Sequence, residues 1–170
     1  TQSHAITNYE SVLENLKPED YTAIFEQAHA YNRALYETDF PLLNYSKVPG
    51  YYDALCLTEN EMIGYIKIDR IGVELPIYHG TDADTLEIGI GHLLGSSLPV
   101  GGESTHTILT AHSGMASQKM FSDLDLMKID DVFYLDVLNE RLAYQVDAIF
   151  TVLPHETEQL QIVTGKDYCT

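Results

Sequence analysis

"IGYIKIDRIGVELPIYHG", residues 63–80, decides the fold class. Its first half sets Ile63, Tyr65 and the apolar-stemmed Lys67 against Gly64, Ile66 and Ile68, the period-two alternation of a strand. A turn at Arg70 to Gly72 leads into a second strand, "VELPIYHG". Downstream, "HTILTAH" (106–112), "DVFYLDVL" (131–138) and "LAYQVDAIFTVL" (142–153) read as further strands, the last two joined by a short hairpin connection at Asn139-Glu140. "LQIVTGKDYCT" (160–170) reads as a strand, a turn at Gly165-Lys166 and the start of another strand. "TDADTLEIGIGHLLG" (81–95) and "SQKMFSDLDLM" (117–127) are long enough for short helices. These elements predict a mainly β unit over 61–170, a mostly antiparallel sheet or barrel.

Upstream the period changes. Pro18, Glu19 and Asp20 are a helix start, because proline fits the first turn and the acids complement the helix dipole. Tyr21, Ile24, Phe25, Ala28, Tyr31 and Leu35 then recur at helical spacing. A shorter helix precedes it, with Ile6, Tyr9, Val12, Leu13 and Leu16 on one face. The sequence thus divides into N-terminal helices over 1–37, a connection over 38–60 and the β unit over 61–170. The connection carries Pro41, Pro49 and Gly50 without a sustained period, and a connection of that length is often functional.

The 170 residues suffice for one domain with a proper core. The formal charge of −17 repels phosphate backbones and anionic lipid, which excludes nucleic-acid binding and docking on such lipid through the folded surface. It suits cationic partners or divalent ions. The two cysteines, Cys56 and Cys169, lie far apart and neither belongs to a zinc-binding spacing. No EF-hand spacing marks a calcium site, and no HExxH motif marks a catalytic metal. No cofactor is implied.

Chemistry-bearing residues remain. His4 and His29 fall in helices and His155 in a loop, where surface roles suffice. His79, His92, His106 and His112 fall in the β unit. His112 ends a strand-like run and is followed by Ser113, Gly114 and Met115; by itself it reads as a capping or surface imidazole. Nucleophilic catalysis needs a thiol or hydroxyl beside a base in space. Cys169 is the naive candidate for that thiol and Cys56 a weaker one. The clusters Asp82/Asp84 and Asp123/Asp125/Asp130/Asp131 offer paired carboxylates, but such residues more often face solvent or cap helices. The final strand starts at Asp167, four residues from the end, so the natural chain is expected to continue past Thr170.

"LPIYHGT" (75–81), "GHLLGSSLPVGGESTHTILTAH" (91–112), "FSDLDLM" (121–127) and "LAYQVD" (142–147) together resemble the sortases, in their class C, pilus-building group, and the likeness runs from about residue 20 to 170. The resemblance implies a closed eight-stranded β-barrel with short helices, preceded by N-terminal helices, whose last two strands lie outside this sequence. It implies a membrane-anchored cysteine transpeptidase on the outer face of Gram-positive cells. Such an enzyme cleaves an LPxTG-type sorting signal through a thioacyl intermediate and joins pilins through a lysine isopeptide bond. The partners implied are pilins carrying the signal and an acceptor lysine, with membrane attachment through segments not present here. An anchoring sortase and an inactive sortase-like acidic binding domain are the alternative readings.

Residue by residue, the family's catalytic histidine corresponds to His112, in "AHSG" where class C members often read "GHRG". The family's closing pattern, DYxTLxTC, is represented by "DYCT" alone. The nucleophile is therefore expected about four residues past Thr170, with the oxyanion-stabilising arginine further on. Cys169 holds the variable third position, an odd number of steps from the nucleophile, so the two should point to opposite faces and Cys169 is not assigned. The lid motif, Asp-Pro-aromatic in the family, corresponds to "ETDFPLLNY" (37–45), where the proline follows the aromatic. Asp39 and Phe40 are the possible lid pair; a loop aromatic packed on the barrel is the simpler reading of Phe40.

Overall fold

The computed structural model describes residues 1–114 and 118–170. Helix α1 (Gln2–Leu13) is capped by Thr1, whose hydroxyl accepts from the His4 amide, and it buries Ile6 and Tyr9. Helix α2 (Pro18–Tyr36) begins at the proline, and the Asp20 carboxylate accepts from the Lys17 amide. That contact is half of a capping box. The face of α2 turned inward carries Ala28, Tyr31, Asn32 and Leu35. The connection that follows holds a one-turn helix, α3 (Pro41–Asn44), and a 3₁₀ turn at Tyr45–Lys47.

The β unit contains β1 (Met62–Ile68), β2 (Val73–His79), helix α4 (Ala83–Ile88), β3 (Ile90–His92), β4 (Thr105–Thr107), β5 (Leu109–Thr110), β6 (Val132–Val137), β7 (Glu140–Gln145) and β8 (Asp167–Cys169). Six strands pair in the order β5-β3-β2-β1-β6-β7, and β8 pairs with β4. Because β4 runs on into β5 through Ile108, the two sheets form one curled surface, a mainly β half-barrel with the helices outside it. Pairing is antiparallel except for β2 with β3 and β4 with β8. At Gly64 the sheet closes so tightly that a Cβ would sit 2.6 Å from the Asp136 carbonyl oxygen. Glycine is the only residue that fits there, and the β1–β2 register shifts between Met62 and Gly64.

Four details differ from the sequence reading. The segment 81–95 holds α4 as expected but also β3, too short to show a period and parallel to β2. The alternation of 142–153 outruns its strand. β7 ends at Gln145 opposite Val132, the first residue of β6, and the pairing continues only through the backbone bonds of Val146 with Asp131 and Asp130. Ile149, Phe150 and Leu153 are exposed. "LQIV" forms no strand; a 3₁₀ turn at Glu158–Leu160 stands there instead. In 117–127 the expected helix shrinks to a 3₁₀ turn at Leu124–Leu126, while Met115, Ala116 and Ser117 lie outside the described residues.

The core joins both halves of the chain. Leu35 of α2 is fully buried with Ile63, Ile77, Ile90, Leu98 and Leu135 of the β unit. A smaller cluster under α1 unites Ile6, Tyr9, Met62 and Tyr78. Two buried polar struts cross this apolar interior. Asn32 of α2 meets the backbone of Leu98 at both ends, donating to its carbonyl at 3.1 Å and accepting from its amide at 2.7 Å. The second strut ties the connection to the barrel. The Tyr51 hydroxyl lies 2.7 Å from Nδ1 of His92 and accepts from the Gly80 amide at 3.0 Å. Across the ring, Nε2 of His92 lies 2.7 Å from the Ser97 carbonyl. A carbonyl only accepts, so the proton sits on Nε2, and Tyr51 donates to Nδ1.

The first strut predicts that Asn32→Ala, which strands a buried amide and carbonyl on Leu98, lowers the urea-derived unfolding free energy by roughly 2–4 kcal/mol. A loss under about 0.5 kcal/mol would contradict it. The second predicts the pH response. Burial lowers the His92 pKa from 6.5 to about 4 and also lowers those of His79 and His106. For such a group the unfolded chain binds the proton first, so the stabilisation is complete above pH 6.5 and is lost as pH falls toward 4. Denaturation midpoints should fall steadily over that window, and replacing His92 by Asn should flatten the fall. A pH-independent midpoint would contradict the assignment.

Candidate active site

His112 stands two residues past the end of β5, half-buried, where the strand leaves the sheet. Its carbonyl accepts from the Phe121 amide at 3.0 Å, and Gly114 donates its amide to the Ser122 hydroxyl at 2.9 Å. The two bonds hold together the base of the loop that departs at His112. Met115, which follows in the motif, is outside the described residues.

β8 pairs with β4, the strand that precedes β5 and runs into it through Ile108. Thr105 pairs with Asp167, His106 with Tyr168 and Thr107 with Cys169, in parallel. The ladder continues one step further: Thr170 donates its amide to the Thr107 carbonyl, and its carbonyl accepts from the Leu109 amide, both at 2.8 Å. β8 therefore runs alongside β4 toward His112.

Cys169 faces the other way from Tyr168 and Thr170. Its side chain packs against the main core cluster. Burial, with the Asp167 carboxylate adding to it, pushes its thiol far above the ordinary cysteine range. Such a thiol stays protonated, and the protonated form is not the nucleophile. Cys56 lies in the connection and donates its thiol to the Tyr52 carbonyl at 2.9 Å. Its pKa is also raised, by burial of the sulfur and by the nearby Glu61 and Asp53 carboxylates.

The remaining candidates divide. Asp39 and Phe40 lie at the start of α3, where Phe40 adopts the left-handed conformation (φ 49°) that side chains rarely take. Asn44 braces the turn by donating to the carbonyls of Asp39 (2.7 Å) and Phe40 (3.3 Å). The segment sits on Gly95, where a Cβ would lie 2.8 Å from both the Leu42 Cα and the Pro41 carbonyl oxygen. Phe40 is 71 % exposed. The acidic clusters act as caps and pairs. Asp82 caps α4 through the Thr85 amide at 2.9 Å, Asp131 accepts from the Lys128 amide and pairs with Arg70, and Asp123 pairs with Lys119. No trio of histidine, cysteine or carboxylate groups is arranged to hold a metal among the described residues.

Sequence reasoning passed over His92 and His106. Both are buried in polar networks. His106 lies 2.8 Å from the Gln161 carbonyl through Nδ1 and 2.7 Å from the Thr170 hydroxyl through Nε2. Tyr51 on His92, and Gln161 and Thr170 on His106, are distant along the chain, so no local spacing reveals these contacts. The signal available was only the alternation of the two histidines within strands.

Comparison with known proteins bears on this geometry. The Sortase domain model matches residues 66–170. Sortase D of Bacillus subtilis (strain 168) is 30% identical over 106 residues, which is 59% of this chain and 52% of that protein. The match thus spans about half the length of the curated relative. Among solved structures, sortase C1 from Streptococcus agalactiae superimposes with a TM-score of 0.87 at 40% identity, over 98% of this chain and 90% of that one. Sortase C of Streptococcus pneumoniae gives 0.86 at 39% identity, over 98% and 85%. Sortase C of Clostridium perfringens, crystallised with the C-terminal cell wall sorting motif, gives 0.85 at 40% identity, over 98% and 86%. The half-barrel, the preceding helices and the sequence thus lead to one assignment: the chain belongs to the sortase family, in its class C.

Proposed function

We propose that this chain carries the catalytic barrel of a cysteine transpeptidase that cleaves an LPxTG-type sorting signal and joins pilin subunits through a lysine isopeptide bond. The observation that supports it is the parallel register of β8 on β4. Continued without a slip, that register brings the fourth position after Thr170 opposite His112. Alternation puts that position on the face of Tyr168 and Thr170 and opposite to that of Cys169. The family's closing pattern has its cysteine at this position. Cys169 is accordingly not the nucleophile in this reading.

The chemistry follows from the pairing. The thiolate adds to the threonine carbonyl of the signal, and the Thr–Gly carbon–nitrogen bond breaks. His112, as imidazolium, gives its proton to the departing glycine amine. A pilin lysine then attacks the thioester and yields a proton to the now neutral His112, and the thiolate leaves. The oxyanion-stabilising arginine is expected beyond Thr170. Among the arginines present, Arg70 and Arg141 are already paired, with Asp131 and Asp136. Asp39 and Phe40 belong to a lid segment resting on Gly95, with Phe40 exposed. The proposed place of action is the outer face of a Gram-positive membrane. No helix among the described residues is long and apolar enough to cross that membrane, so attachment is assigned to other segments.

The test uses the full-length gene product, an LPxTG-type peptide and a lysine-bearing acceptor peptide, with products read by mass spectrometry. His112→Ala should lower kcat/KM about 10²–10⁴-fold, while Cys169→Ala should leave it within about threefold. Unchanged activity in His112→Ala, or abolished activity in Cys169→Ala, would overturn the assignment. Transfer to a wall-precursor amine with no transfer to the lysine acceptor would favour an anchoring enzyme instead.

A further inference from the structure

We propose that His106 is a positioning residue that fixes the register of β8 against β4 by bridging Thr170 and Gln161, and thereby determines which position of the strand after Thr170 faces His112. The inference rests on the transpeptidase reading above and adds to it a residue six positions before His112 in the same strand line.

The backbone alone does not determine this register. β8 is three residues long, and a parallel ladder repeats every second residue. A slip of two residues would satisfy the same kinds of backbone bond while moving a nucleophile by about 6.6 Å along the strand. A slip of one would turn it to the other face. Side chains must therefore select the register. His106 is paired with Tyr168 yet reaches diagonally to Thr170, one side-chain repeat further on. That contact exists in only one register.

The ring is suited to the task because its two nitrogens are asymmetric in use. The Gln161 carbonyl can only accept, so Nδ1 carries the proton and donates to it at 2.8 Å. His106 is 2 % exposed, and burial disfavours its charged form. In the neutral ring Nε2 is an acceptor, and the Thr170 hydroxyl donates to it at 2.7 Å. The ring thus joins the segment ahead of β8 to the far end of β8, with the tautomer fixed by the first contact. Neighbouring contacts hold the near end. The Asp167 carboxylate accepts from the Gly102 amide at 2.8 Å and from the Tyr144 hydroxyl at 2.6 Å, and Ser104 accepts from the Gly165 amide at 3.0 Å. His106 bonds to the side chain of Thr170, the residue from which the proposed catalytic strand would continue.

The experiment compares Thr170→Val, His106→Asn, His106→Gln and the Thr170→Val/His106→Asn double variant in the full-length protein. Valine keeps the shape of threonine and removes only the hydroxyl. Glutamine reaches roughly where Nε2 lies and can still accept from Thr170, whereas asparagine reaches only Nδ1 and keeps the Gln161 contact alone. Misplacement of reacting groups by about 1 Å lowers rates as much as 100-fold. Thr170→Val and His106→Asn should therefore each lower kcat at least about tenfold, with KM within about twofold. His106→Gln should recover most of the rate, and the double variant should be no slower than the slower single. The alkylation rate of the nucleophilic thiol across pH should lose its imidazole-dependent component in the same variants, a readout that general loosening would not mimic. Wild-type kcat in both single variants, or losses that multiply in the double, would overturn the proposal. Inactivity of the wild type, or activity retained in His112→Ala, would instead count against the transpeptidase reading itself.

Discussion

The parallel pairing of β8 with β4 is the constraint on which the rest depends. It joins the chain's last described strand to β4, which runs through Ile108 into β5 and on to His112, and it closes one side of the curled sheet. Between β7 and β8, Leu142, Tyr144, Asp167 and Cys169 line a pocket of about 470 Å³. Only the Tyr144–Asp167 hydrogen bond crosses it in the hydrogen-bond network of the described residues. On its β4 side, β8 is held by the strand ladder. There the polar contacts are dense: Ser97 accepts from the His106 amide, Thr107 donates to the Ser97 carbonyl, and His92 contacts the same carbonyl.

That density has an energetic logic. Buried imidazoles and hydroxyls are costly unless each finds a partner, and here they find them largely in one another and in loop backbone. The network runs from Tyr51, in the connection before the barrel, through His92 and Ser97 to β4 and on to Thr170. His79 is the exception. Its ring is buried edge-on against Tyr51 at 4.8 Å, and neither nitrogen has a hydrogen-bond partner among the described residues. Burial disfavours its charged form. The surface charge of −17 plays no visible part in this interior, which is built from uncharged polar groups.

What the sequence could show was what lies close along the chain. The β1–β2 hairpin was legible because alternation and the turn at Gly72 agree, and α2 because its start and its apolar stripe agree. β3 was not, since three residues define no period. The length of β7 was overread because alternation continues past the point where its partner strand stops. At the candidate site, His112 read as bland from its residue type alone and gained meaning only through the family motif. The roles of His92, His106 and Asn32 could not be read at all, because each pairs with groups brought together only by the fold.

The most direct test is to trap the acyl-enzyme on the full-length protein with a sorting-signal peptide and map the thioester by peptide mass spectrometry. The account predicts the peptide on a cysteine four positions beyond Thr170, with Cys169 unmodified. A thioester on Cys169 would contradict it, because the β4–β8 register would then not be what aligns the reacting groups.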